Sequence, residues 1–285
     1  MSQRPLPRRY SLLLLVGLCM VHAPAHAQYQ AGDPINDRFS IDAGAYFLGT
    51  SSNVKVNGTL NSPGLPIAVG TTFNVERDLG YNNTDRLRFD AYWRFFKRHK
   101  LTVSYFDTSR NSDRSLERTI QFGNYTFPVG VEVHSHFATQ VAEVAYEYGF
   151  FRTRNFELSG SLGIHNMKFD LDLAGTGILR GTTRDAATSA SADGPLPVIG
   201  LHAVWSLSRH FYLDGEGQLF KVSISPYNGS LQDYTGSVVW QMFSHFGVGA
   251  GYDEFISHAA VNSDTFHGDL RWSYGGPRLY FRGSF

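Results

Sequence analysis

The stretch "DRLRFDAYWRFF", residues 85–96, alternates with a period of two. Leu87, Phe89, Ala91, Trp93 and Phe95 fall on one side of an extended strand; Arg86, Arg88, Asp90, Tyr92 and Arg94 fall on the other. The pattern recurs. "KLTVSYF" (100–106) sends Leu101, Val103 and Tyr105 one way, and "QVAEVAYEYGF" (140–150) opposes Val144, Tyr146 and Tyr148 to Glu143 and Glu147. "NFELSGSLGI" (155–164) carries Glu157 on its polar side, and "HFYLDGEGQLF" (210–220) carries Asp214 and Glu216. "PVIGLHAVW", "DYTGSVVWQM", "FGVGAGYDEF" with Asp253, and "GDLRWSY" with Asp269 and Arg271 complete the set. No stretch approaches 18 consecutive apolar residues, so no helix of this chain is built to span a bilayer. Half-apolar strands in such number must stack as two sheets or close into one cylinder.

The front of the chain narrows the choice. Residues 1–9 carry Arg4, Arg8 and Arg9 and no acid, "YSLLLLVGLCMV" follows, and "AHA" ends at Ala27. A basic start, a short apolar run and a small-residue site predict a secretory leader, residues 1–27, cleaved after Ala27. Its removal takes three of the 25 basic residues and no acid, which leaves 22 against 25 and a net charge of −3. That balance argues against a nucleic-acid partner. The single Cys leaves with the leader, so residues 28–285, read as one domain, hold together without disulfides.

Two features favour the cylinder, with lipid on its apolar face. Aromatic residues collect at strand ends beside tight polar turns: "YWRFFKRHK", "YEYGFFRTRN", "VWSLSRHF" and "VWQMFSHF". Connections also alternate in length. Short turns near 97–99, 151–154, 207–209 and 244–245 separate longer segments at 50–83, 109–130, 172–195, 225–230 and 259–266. The chain ends on "LYFRGSF", an alternating strand closed by Phe285.

With leader, girdled strands and terminal Phe285, the chain resembles small bacterial outer-membrane β-barrel proteins. The resemblance implies insertion in a Gram-negative outer membrane, among lipid and lipopolysaccharide, as a monomer. It also implies that Phe285 is the signal read by the barrel-assembly machinery.

The fold class is therefore all-β: a closed antiparallel transmembrane barrel with short periplasmic turns and long extracellular loops. The strands read as 38–48, 85–96, 100–108, 131–150, 155–170, 196–206, 210–224, 231–242, 246–258 and 267–285, an even ten; eight and twelve are the alternatives. In the last strand the lipid face is expected to switch parity across "GGP", with a bulge there. Segment 172–195 reads as a small, polar, mobile loop.

Facing inward, Arg86, Arg88, Asp90, Arg94, Glu143, Glu147, Glu157, Asp214, Glu216, Asp253, Asp269, Arg271 and Arg282 predict a network of paired charges. At about ten strands such side chains fill the bore. The expected role is structural, adhesive or surface-binding; a narrow solute path is the alternative. A hydrolase is a third reading, from His134 and His136 flanking Ser135, from His165, and from Ser257-His258 with Asp253, Asp264 and His267. No G-x-S-x-G, H-E-x-x-H or P-loop occurs, so no catalytic residue, metal ligand or cofactor is assigned.

Overall fold

The computed structural model describes residues 33–57, 69–224, 227–262 and 267–285. The expected leader lies outside the described residues. In chain order the elements are β1 (Phe39–Val56), β2 (Phe73–Asn74), α1 (Val75–Leu79), β3 (Thr84–Phe96), β4 (His99–Ser115), β5 (Ile120–Phe122), β6 (Tyr125–Phe127), β7 (Glu132–Arg152), β8 (Phe156–Leu179), β9 (Thr182–Ser206), β10 (Phe211–Ile224), β11 (Tyr227–Phe243), β12 (Phe246–Asn262) and β13 (His267–Ser284). Ten of them form an antiparallel ring, β1-β3-β4-β7-β8-β9-β10-β11-β12-β13, and β13 pairs back onto β1. The ring closes, and every long strand is flanked on both sides over at least part of its length.

Alternation puts the greasy side outward. Leu87, Leu162, Ile199 and Phe281 are all more than half exposed. Below them lies a girdle of Phe95, Phe151, Trp205, Phe211, Trp240 and Phe246; above them lie Phe47, Tyr105, Tyr234 and Tyr252. Between the girdles the wall is apolar, as a bilayer requires. The last residue sits in the lower girdle. The Phe285 N–H donates to the Phe39 carbonyl at 2.8 Å, its own carbonyl accepts from Phe39 N at 3.0 Å, and its ring stacks on His245 at 5.0 Å.

Three expectations change. Segment 172–195 is not a loop: β8 and β9 continue as a paired hairpin to a two-residue turn. Arg180 and Gly181 both take positive φ, 49° and 80°, the conformation of a type I′ turn whose twist matches its strands. Second, β13 carries no bulge and no change of face. Its offset against β12 is constant from Phe246↔Gly283 to Asn262↔His267, and even-numbered residues point inward throughout. Trp272 and Tyr274 are therefore buried inside, and Arg271 and Asp269 lie on the outer face. The register shifts sit instead beside periplasmic turns, at Arg94/Phe96, Gly149/Phe151 and Gln241/Phe243. Third, the longer segments 50–83, 109–130 and 259–266 begin as strand, since β1 runs to Val56, β4 to Ser115 and β12 to Asn262; β2, α1, β5 and β6 lie off the ring, so the even count stays.

"GGP" has another role. The β1–β13 ladder skips Phe47 and Leu48 opposite Gly276 and Pro277, with the offset unchanged. Pro277 has no N–H to donate, and a Cβ on Gly276 would collide with the Phe47 carbonyl. Glycine lets the two strands that close the ring approach here. Gly276→Val is expected to cost about 1–3 kcal/mol and to reduce the fraction of unheated protein that runs as a compact folded band on a gel.

Candidate functional site

The interior has two fillings. The periplasmic half holds ionised side chains from strands on every side. The Arg94 guanidinium pairs with Glu157 through both nitrogens, at 2.9 and 3.1 Å. Lys100 Nζ lies 3.5 Å from Glu157 and 2.6 Å from Glu147. His202 sets Nδ1 2.9 Å from Glu147 and Nε2 3.0 Å from Asp214. With a carboxylate at each ring nitrogen, both nitrogens donate, and the ring is the imidazolium. Arg282 then joins Asp214 at 3.3 Å to Asp42, which it clasps with Nε and Nη2. The signs alternate across the bore from Arg94 to Asp42.

A second group closes on itself. Arg88 contacts Asp90 at 2.9 Å and Asp253 at 3.0 Å; Arg278 contacts Asp90 at 3.2 Å and Asp253 at 3.3 Å. Below both groups, residues 33–38 lie under the barrel, with Ile35 buried against Val204, Tyr212, Val239 and Tyr280. Arg94 and Arg152 donate to carbonyls of this segment. Desolvated charges are tolerated because each has its partner.

The structure places Arg88, Asp90, Arg94, Glu143, Glu147, Glu157, Asp214, Glu216, Asp253 and Arg282 on the inner face. Arg86 faces inward but bonds the Ser109 carbonyl at 3.1 Å rather than an acid. Asp269 and Arg271 do not belong to the network. Asp42, Lys100, Arg152, His202, Gln218 and Arg278 were missed.

The extracellular half is apolar. Tyr46, Phe106, Phe255, Trp272 and Tyr274 form one buried aromatic stack, with Phe255 and Tyr274 parallel at 4.7 Å. At the β3–β4 side the ladder stops at Arg88↔Phe106, and α1 lies against β4 above that point. There α1 is capped by the Asn74 side chain, which accepts from Arg77 N at 2.8 Å, and Ser112 Oγ donates to the Leu79 carbonyl at 2.5 Å.

The β9–β10 side differs. Its ladder ends at Ile199↔Leu219, immediately below Pro197 and Pro195, which cannot donate to it. Behind this opening lies a cavity of about 480 Å³ walled by Val54, Phe137, Met167, Phe169, Leu171 and Leu270, with Leu196 and Val222 on the two diverging strands. Alternation turns Lys55, Asp193, His258 and Asp269 at its rim to the outer face.

The hydrolase candidates separate. Ser135 is buried and bonds the Ser112 carbonyl, whereas His134 and His136 point outward. Ser257 faces in and His258 out; His258 pairs with Asp269 at 2.8 Å. Asp264 and the side chain of His267 lie outside the described residues. His134 rests 2.6 Å from Asp113, whose hydrogen bond and charge raise its pKa. A different serine meets His136. Ser109 Oγ lies 3.0 Å from its Nε2, and Asp172 Oδ2 lies 3.3 Å from its Nδ1. These three residues stand on neighbouring strands β4, β7 and β8, on the outer face above the apolar belt.

No family model and no curated protein matches the chain. Among solved structures, the outer membrane protease OmpT of Escherichia coli superposes with a TM-score of 0.54 at 11% identity, over 87% of this chain and 97% of that one. The toluene transporter TodX of Pseudomonas putida gives 0.35 at 8% identity, over 90% and 93%. Ail, the attachment invasion locus protein of Yersinia pestis, gives 0.24 at 10% identity, over 85% and 98%. The chain has the fold of a bacterial outer-membrane β-barrel. At such identities the likeness is one of fold, and the chemistry rests on the residues above.

Arg282→Met leaves Asp42 and Asp214 short of their shared cation. Stability is expected to fall by about 3–5 kcal/mol, read as the urea midpoint in detergent, and Asp42→Asn in the same chain is expected to restore part of it.

Proposed function

We propose that the protein is an outer-membrane barrel that binds a small, uncharged apolar molecule and exchanges it with the outer leaflet between β9 and β10. The observation that carries this reading is the coincidence of the wall opening with the cavity. Where the β9–β10 ladder stops, the outer face is still apolar at Ile199 and Leu219, and the space behind is lined mostly by apolar side chains, with the inward Ser257 among them and Lys55, Asp193, His258 and Asp269 at the rim. The volume suits one small ligand. A strand edge left open beside lipid would carry unsatisfied N–H groups; Pro195 and Pro197 have none to leave. The ion-paired lower half supports a lumen that does not conduct. Phe285, tied to Phe39 at the closing seam, is proposed as the assembly signal.

Trp93, Trp205 and Trp240 all face lipid, and Trp272 is buried 4.9 Å from the cavity-wall residue Phe169. With the first three replaced by Phe, a brominated hydrocarbon is expected to quench Trp272 saturably. Ala190→Phe, which fills the cavity, should weaken this at least about tenfold, about 1.4 kcal/mol. A cleavable thiol crosslink between Pro197→Cys and Lys221→Cys should slow quenching until it is reduced. Quenching that neither change affects would contradict the reading, as would a stable conductance in planar bilayers.

One observation favours a second activity. In the tautomer with Nδ1 protonated, His136 donates to Asp172 and accepts from the Ser109 hydroxyl, the arrangement of an activated nucleophile. Its place above the belt points to acyl-ester hydrolysis at the membrane surface. A fluorophosphonate probe is expected to label Ser109 in the wild type and to lose that label in His136→Asn; absence of labelling contradicts the activity.

A further inference from the structure

Between the Arg88–Asp253 square and the aromatic stack, three carboxylates share one patch: Glu143, Glu216 and Asp233. Among the described residues none of the three has a Lys or Arg in ion-pair contact, unlike the carboxylates of the two groups beneath them. Two rungs of the barrel face each other here. Glu143 and His165 are cross-strand partners on β7 and β8, and Asp233 and Gln218 are partners on β11 and β10. Gln218 is the neutral tie. Its Nε2 donates to Glu143 at 2.5 Å and Glu216 at 2.7 Å, and its Oε1 accepts from His165 Nε2 at 2.7 Å.

Glu143, His165 and Asp233 bring one ligand atom each within 4.8 Å of one another. Two atoms of the patch have no partner: Asp233 Oδ1 and His165 Nδ1, on side chains 8% and 2% exposed. A buried carboxylate oxygen and a buried ring nitrogen without partners are costly. A cation accepting both would relieve that cost and neutralise the adjacent acids.

We propose that Glu143, His165 and Asp233 bind a divalent transition-metal ion, with zinc as the test case. One imidazole and two carboxylates suit zinc and its first-row neighbours better than calcium or magnesium, which favour all-oxygen sets. The ion would join the β7–β8 wall to the β10–β11 wall and cap the charged half of the lumen. This site is independent of the apolar cavity and of Ser109.

The test is refolding of the full chain into detergent with and without zinc, then elemental analysis after gel filtration through a chelating resin. One zinc per chain is expected, with a higher unfolding midpoint than the metal-free protein. His165→Gln and Asp233→Asn should each lose the ion, while His134→Gln/His136→Gln, which removes the two outward imidazoles beside Asp113 and Asp172, should keep it. Cobalt(II) in the wild type supplies a readout that does not depend on variants folding: a visible d–d band of a nitrogen–oxygen site. No retained zinc and no cobalt band, or zinc lost with His134 and His136 instead, would overturn the proposal and leave protons as the neutralising charge.

Discussion

Backbone amides cannot be left bare in hydrocarbon, and this requirement organises the whole molecule. A sheet that crosses a bilayer has to close on itself. Closure demands that β13 return to β1, and the chain meets that demand with a terminal strand in register from Ser284 down to Gly268 and glycine where the two strands crowd. Once the ring is closed, period-two alternation does the rest. Each strand shows one side to lipid and one to an enclosed bore, so a single alternation separates the greasy outer wall from the filling of the interior.

The bore then faces its own constraint. Charges removed from water need partners, and at ten strands the opposing walls are near enough for side chains to supply them. The periplasmic half answers with alternating acids and bases; the extracellular half, where strands rise above the belt, answers with packed aromatics. The chemistry of interest lies where these answers stop. Between the two fillings sits an acidic patch with unpartnered atoms, and behind β9 and β10 sits a cavity that neither charges nor rings fill.

Much of this was legible from residue order. Strong contrast, as in Leu87/Arg88/Phe89/Asp90, fixed the strands, their faces and the even count. What failed did so for physical reasons. In 172–195 most side chains are Ala, Ser, Thr and Gly, whose faces differ too little in hydropathy to show a period, although the backbone pairs throughout. In β13 the buried face changes from aromatic at Trp272 and Tyr274 to arginine at Arg278 and Arg282. Polarity therefore mimicked a change of face that is really the boundary between the two fillings. Asp42, Lys100 and His202 stand on three different strands, and their meaning comes only from neighbours distant in the chain. Ser135 stood beside the imidazoles in sequence and points away from them; Ser109, one strand over, meets His136. Adjacency along a strand separates side chains, and adjacency across strands joins them.

Acyl chains solvate the outer apolar face. Nitroxide spin labels at Leu162 and Lys168, both outward on β8 and placed in the belt and above it, test it most directly in reconstituted vesicles. The label at Leu162 should be relaxed strongly by dissolved oxygen and weakly by a water-soluble nickel chelate, with Lys168 the reverse. A label at Leu162 shielded from both relaxants, as between two stacked sheets, or one open to the chelate, would contradict it.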